Sequence, residues 1–448
     1  MRSPIIGSRQ LVVAALLVML FPPPPARADA PVRYIPDCHE ARNALFDEFQ
    51  GAPTRQLLAF KPRSVQSDRG AFYLYPLKRD GGAYAIFAAP GTTAAAFGQG
   101  TWIVRREASN GAFSWAKVFL SGDGRNYLVA RPAGDDRSRI DVVVRGGVLY
   151  MDVAVAIPFL KLLREPLASI VRASADSIDW SLFAPEPSLY QTVRTLVDRV
   201  RLSISGLEYS DDGTFAPDGS LVRIADGQPQ SPPYGLNCSG FALWLADGLT
   251  FPVSGKRLSY HDMLMKRDED HWNRFLEPFE ESLQPYFGLD WSLNLARAVG
   301  NAAHPDVETS RSDVDVILSP FARWTGLKNP FDWAQDYGYY PSYFKDAGYQ
   351  ARGIDAILYI LAIREPGRFY VASVSKSSSS ELMIRRFFHV AVLFPYFDKD
   401  GNFKVAVFES AAETSIEVFS SRYDDATYVH LVRIESRPDF EPLPFPSP

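Results

Sequence analysis

The sequence predicts an α+β protein, a small antiparallel β domain followed by a larger domain of helices packed on an antiparallel sheet. Three observations carry this. Over residues 71–156, short alternating aromatic and β-branched runs are cut at regular intervals by turn-formers. Near residue 160 the period changes, and Leu189, Val193, Leu196, Val197 and Val200 recur at helical spacing. Beyond residue 350, apolar runs too short for helices follow a single helical stretch.

The chain has 448 residues, 46% of them hydrophobic and 13% aromatic, which suits a packed core rather than a disordered chain. At about 150 residues per domain, two or three domains fit. The formal net charge is -5 and no long block of like charge occurs, so nucleic acid and acidic membrane surfaces are set aside as partners.

At the N-terminus Arg2 and Arg9 precede an apolar run over residues 11–21, too short to span a bilayer. Pro22 to Pro25 follow, then the small-residue sites Ala26-Arg27-Ala28 and Ala28-Asp29-Ala30. Residues 1–30 therefore read as a signal peptide, the alternative being an uncleaved anchor. The mature chain is expected to be exported, periplasmic or extracellular, with no membrane span. Its cysteines are Cys38 and Cys238. An exported chain tends to pair such residues, which would block thiolate chemistry. Cys38 reads as a buried free thiol.

In the β domain (31–170), Phe72-Tyr73-Leu74-Tyr75, Trp102-Ile103-Val104, Trp115-Ala116-Lys117-Val118-Phe119 and Val142-Val143-Val144 are strands. Asp80-Gly81-Gly82, Ser121-Gly122-Asp123-Gly124 and Gly146-Gly147 are the turns between them. No residue cluster with evident chemistry lies there, so a packing or binding role is the default. The boundary is expected around 165–186, and an amphipathic helix over 187–203 begins the second domain (187–448). Turns at 210–213 and 216–219 bracket short strands.

The segment Tyr234-Gly235-Leu236-Asn237-Cys238-Ser239-Gly240-Phe241 is the most informative. Cys238, Phe241, Leu245 and Leu249 fall on one helix face, and Asn237 is a favoured N-cap. Cys238 then stands in the first helical turn, where the positive end of the helix lowers a thiol's pKa. A cysteine there also serves simply as a small buried hydrophobe. A nucleophilic thiol needs a histidine. Of six histidines, His261, His271 and His304 show no metal-binding spacing, and no metal or organic cofactor is expected. His389 opens the run His389-Val390-Ala391-Val392-Leu393-Phe394, a buried strand. His430 is its rival. Asp398-Lys399-Asp400-Gly401 is a tight turn into Lys404-Val405-Ala406-Val407-Phe408-Glu409-Ser410. A hairpin folded about Lys399 sets Glu409 opposite His389, with Ser410 there if the register slips by one.

Asn-Cys-Ser-Gly-Phe resembles the Asp-Cys-Ser-Gly-Phe block around the nucleophile of the NlpC/P60 family of cell-wall cysteine peptidases, with Asn237 in place of the usual aspartate. Phe388-His389-Val390-Ala391-Val392 resembles the family's histidine block, and the order Cys before His agrees. The resemblance implies a papain-like fold in which the cysteine helix packs on the sheet. It implies a Cys238–His389–Glu409 hydrolase acting on amide bonds of peptidoglycan stem peptides. Asn237 and Ser239 would lie at the helix start by the oxyanion, and Tyr234 would contact substrate. The aromatic-rich stretch 255–350, with His271-Trp272-Asn273-Arg274-Phe275 and Phe331-Asp332-Trp333, exceeds the family core and would wall a groove or simply pack. Two other readings stay open: acyl transfer or amide hydrolysis on a lipid or small molecule, and a non-enzymatic envelope binding protein.

Overall fold

The computed structural model describes residues 35–93, 96–266, 285–322, 342–345, 347–377, 385–410 and 412–445. The expected leader (1–30) and the aromatic segments 271–275 and 331–333 lie outside these residues. The fold is mixed α+β, with antiparallel sheets of eight and six strands.

Short helices α1 (His39–Ala44) and α2 (Thr54–Ala59) precede the eight-stranded sheet. Its strands are β1 (Arg63–Ser67), β2 (Gly70–Arg79), β3 (Gly82–Ala88), β4 (Trp102–Glu107), β5 (Phe113–Phe119), β6 (Tyr127–Pro132), β7 (Ser138–Val144) and β8 (Gly147–Val155). They pair in sequence order, because each connection is short enough to return the chain beside the strand it left. Two of these connections are two-residue turns with both residues at positive φ, Asp80-Gly81 (+47°, +71°) and Arg145-Gly146 (+52°, +87°). That geometry matches the twist of the flanking strands.

Helices α3 (Phe159–Leu162) and α4 (Leu167–Ser174) follow. The expected boundary stretch is thus largely structured, and its Leu182 and Phe183 are buried in the main core. Next come α5 (Gln191–Ser203), the hairpin β9 (Gly213–Phe215) and β10 (Leu221–Arg223), and α6 (Cys238–Ser254). The described parts of the 255–350 stretch form α7 (Tyr260–Met263), α8 (Phe287–Ala303) and α9 (Arg311–Val314). The chain ends in β11 (Tyr349–Gln350), α10 (Ile354–Arg364), β12 (Arg368–Ser377), β13 (Arg385–Phe397), β14 (Phe403–Glu409), β15 (Ala412–Ser415), α11 (Ile416–Ser421) and β16 (Thr427–Glu435).

The six-stranded sheet runs β11-β16-β12-β13-β14-β15. One face carries α6 and α8, and Phe241, Leu245 and Trp291 meet Val371, Val392 and Phe394 there. On the other face α10 shares one contiguous core with both sheets: Ile357 and Leu361 join Leu393 on one side and Phe87, Trp102 and Leu128 on the other. The helical stretch expected beyond residue 350 is therefore not amphipathic in its surroundings. Every residue from Ile354 to Ala362 is buried, because the eight-stranded sheet covers the flank that would otherwise meet water. Asp355 on α10 fixes this docking. Its Oδ2 accepts from Arg145 Nη2 and Arg125 Nη1, each at 2.9 Å. Among the described residues no helix is long and apolar enough to cross a membrane.

Candidate functional site

The start of α6 is built by close backbone approach. Asn237 has extended backbone (φ -81°, ψ -175°), and its Oδ1 accepts the Gly240 N–H at 2.7 Å, satisfying one of the first-turn donors. Gly240 lies against β9, where an added Cβ would stand 2.2 Å from the Gly213 carbonyl oxygen. Buried Gln230 ties the approach together. Its Nε2 donates to the carbonyls of Thr214, Val222 and Gly235, and its Oε1 accepts from Gly235 N. Replacing Asn237 with alanine should cost about 1 kcal/mol through the lost cap. A thermal melt should drop by a few degrees, and an unchanged melt would rule out the cap's contribution.

His389 does not open its strand, as the sequence led us to expect, but is the fifth residue of it, four past Arg385. A bulge intervenes. β12 pairs Val374 with His389 and Ser375 with Phe387, leaving Phe388 without a partner on β12. Such an insertion re-aims the neighbouring side chain. Phe388 turns outward and is 47% exposed, and His389 reaches both Cys238 and Glu409. The hairpin register also differs from the expected one. Pairs run from Phe397↔Phe403 to Val392↔Phe408, so the turn centres on Asp400 rather than Lys399. Glu409 accordingly lies two residues out of step with His389 rather than opposite it. The parity is unchanged, so both side chains share a face, and a glutamate spans the diagonal. His389 Nε2 and Glu409 Oε1 are 2.7 Å apart. Ser410, the alternative third residue, takes a left-handed conformation (φ +47°) in the turn after β14 and lines the cavity beside the thiol, but the bond to His389 is made by Glu409. Sequence reasoning missed Arg422, whose Nη2 lies 2.7 Å from Glu409 Oε2.

The charges are mutually dependent. Burial pushes the Cys238 thiol up, but its hydrogen bond to His389, the imidazolium charge, the Val390 N–H and the Ser239 side chain hold it below the usual thiol range. Burial opposes the charge on His389, yet Cys238 and Glu409 push its pKa up to about 9. Glu409, despite burial, is held below the usual carboxylate range by His389 and Arg422. With Nε2 engaged by Glu409, Nδ1 is the ring nitrogen left to exchange a proton with the thiol. The arrangement favours a thiolate beside an imidazolium. The Cys238 N–H, in the first helical turn, has no intrahelical acceptor.

The thiol opens into a cavity of about 320 Å³. Its lining includes the apolar side chains of Leu264, Phe287, Phe387 and Phe388 and the polar ones of Tyr209, Asp211 and Asp212. Asn237 and Ser239 line the cavity with Cys238 and His389. Tyr234 does not: it is exposed and absent from the lining, because the chain turns inward only at Gly235 and Leu236. Tyr209, Asp211, Asp212, Leu264 and Phe287 come from segments remote in sequence from Cys238 and His389 and were not legible as site residues, whereas Phe387 and Phe388 directly precede His389. His430 is fully buried, its Nε2 2.9 Å from Asp315 Oδ1, and does not line the cavity. Cys38 and Cys238 are both free thiols. Cys38 is buried, which pushes its pKa up to about 12. Among the described residues no group of three His, Cys, Asp or Glu side chains is placed to hold a metal ion.

Fold and site together define an α+β protein in which a helix-borne thiol meets a sheet-borne imidazole and carboxylate. A family model described as a domain of unknown function (DUF8515) matches residues 31–182, the region of the eight-stranded sheet and not that of the thiol. No curated protein and no solved structure matches the chain.

Proposed function

We propose that this protein is a cysteine hydrolase of the NlpC/P60 type, cleaving an amide bond through Cys238, His389 and Glu409. The observation that carries the reading is the continuous chain of contacts from thiol to imidazole to carboxylate at the start of a helix. The Cys238 thiolate attacks the carbonyl carbon and forms a C–S bond. His389 protonates the leaving nitrogen as the C–N bond breaks. Water then attacks the thioester, His389 takes its proton, and C–S cleavage releases the acid and restores the thiolate. Glu409 holds the ring through both steps, and the Cys238 N–H is placed to receive the developing oxyanion. The leader expected at residues 1–30 favours a substrate outside the cytoplasm, and the family resemblance favours a peptidoglycan stem peptide.

A second reading, hydrolysis or acyl transfer on a lipid or small apolar amide, draws support from the apolar lining residues Leu264, Phe287, Phe387 and Phe388. Digestion of purified peptidoglycan and of N-acyl amides in parallel, with products identified by mass, separates the two.

The pH dependence follows from the pair. Below the depressed pKa of Cys238 the thiol is protonated, and above about pH 9 His389 loses the proton it must deliver. Hydrolysis should therefore be bell-shaped, its alkaline limb near pH 9. Iodoacetamide labelling of Cys238, which needs only the thiolate, should rise below the free-thiol value of about 8.5 and stay high. Labelling no faster than that of a free thiol would defeat the proposal.

A further inference from the structure

Glu409 has two carboxylate oxygens and two distinct partners. Oε1 faces His389 Nε2 and Oε2 faces Arg422 Nη2, both at 2.7 Å. The last torsion of a glutamate is broad and roughly two-fold, so nothing intrinsic to the side chain keeps one oxygen on the imidazole. A second, directional contact does. The contact is well anchored on the other side. Arg422 caps α11, whose Ile416 and Phe419 are buried in the core and whose first turn is capped by Ser415 Oγ accepting from Val418 N. The guanidinium is 43% exposed while the carboxylate is nearly buried, so the pair holds a buried carboxylate from the surface side.

We infer that Arg422 is a positioning residue of the Cys238–His389 site, holding Glu409 so that its other oxygen fixes the imidazole toward the thiol. The inference rests on the cysteine hydrolase reading. Arg422 does not line the cavity that holds the thiol; it works through Glu409. The paired guanidinium also favours the charged carboxylate that an imidazolium needs beside it.

The test is the rate of iodoacetamide labelling of Cys238 across pH in wild type, R422Q, R422K, E409Q and the R422Q/E409Q double variant. R422Q should label about tenfold more slowly at pH 7, in keeping with loss of a group that orients a functional histidine's partner. Its midpoint should move to higher pH. R422K, which keeps a charge and a donor, should recover part of the rate. Adding R422Q to E409Q should cost nothing further, because the residue through which Arg422 acts is already disabled. Wild-type labelling in R422Q overturns the inference. So does a loss that multiplies with E409Q and is not recovered by R422K, which marks a general structural effect. A wild-type thiol no faster than a free cysteine overturns the hydrolase reading itself, whereas a fast wild type with an indifferent R422Q overturns only the role of Arg422.

Discussion

Replacing His389 with alanine is expected to move the ionisation of Cys238 back to the ordinary thiol range near 9 or above it. The reason lies in the balance at the sulfur. Burial alone pushes the thiol up, and His389 supplies the two largest opposing contributions, a hydrogen bond and a charge. What remains, the Val390 N–H and the Ser239 side chain, is weaker. With a pKa near 9 only about one thiol in a hundred is ionised at pH 7, so labelling there should fall, by up to about two orders of magnitude. Hydrolysis should fall by about 10²–10⁴, because the proton donor to the leaving group is lost as well. Labelling under denaturing conditions should be equal in wild type and variant, which isolates the effect of the folded site. A midpoint in H389A as low as that of wild type would mean that the helix start alone activates the thiol, and the pair would lose its explanatory role.

How much of this was legible in the sequence depends on the range over which each feature is encoded. The helix start is local: Asn237 as cap, Cys238 in the first turn and the glycines around it are read within seven residues. The hairpin is nearly so. A period of two fixes which side chains share a face, and it survived a register two residues from the expected one. The bulge at Phe388 was not legible, since it depends on how β12 pairs with β13. Tyr234 shows the limit of proximity in sequence. It is four residues from the thiol and outside the cavity, whereas Tyr209 lines it from the loop before β9. Arg422 and Phe287 are likewise brought in by elements whose packing is tertiary. The burial of α10 on every side has the same origin, because its outer cover is a sheet some two hundred residues earlier in the chain.

Gly240 is where the local and the tertiary requirements conflict, and Gly240→Ala should show which one wins. Within a helix, alanine in place of glycine is favourable by about 1 kcal/mol. Here the new methyl carbon would stand 2.2 Å from the Gly213 oxygen and 3.1 Å from the Thr214 Cα, both backbone atoms that no rotamer change can clear. The helix start would have to lift from β9. Overpacking of this kind costs about 1–3 kcal/mol and more where backbone must move, so the net effect should be destabilising, with a melting temperature lower by several degrees. The lift also acts on the chemistry. The Gly240 N–H is the donor that Asn237 holds, and the same turn carries the sulfur. A displacement of even an ångström would separate Cys238 from the Val390 N–H and from His389, so the folded fraction of the variant should label slowly at neutral pH. A Gly240→Ala protein as stable as wild type, or one whose folded form still labels at the wild-type rate, would show that β9 yields instead of α6, and the glycine would then matter for packing alone.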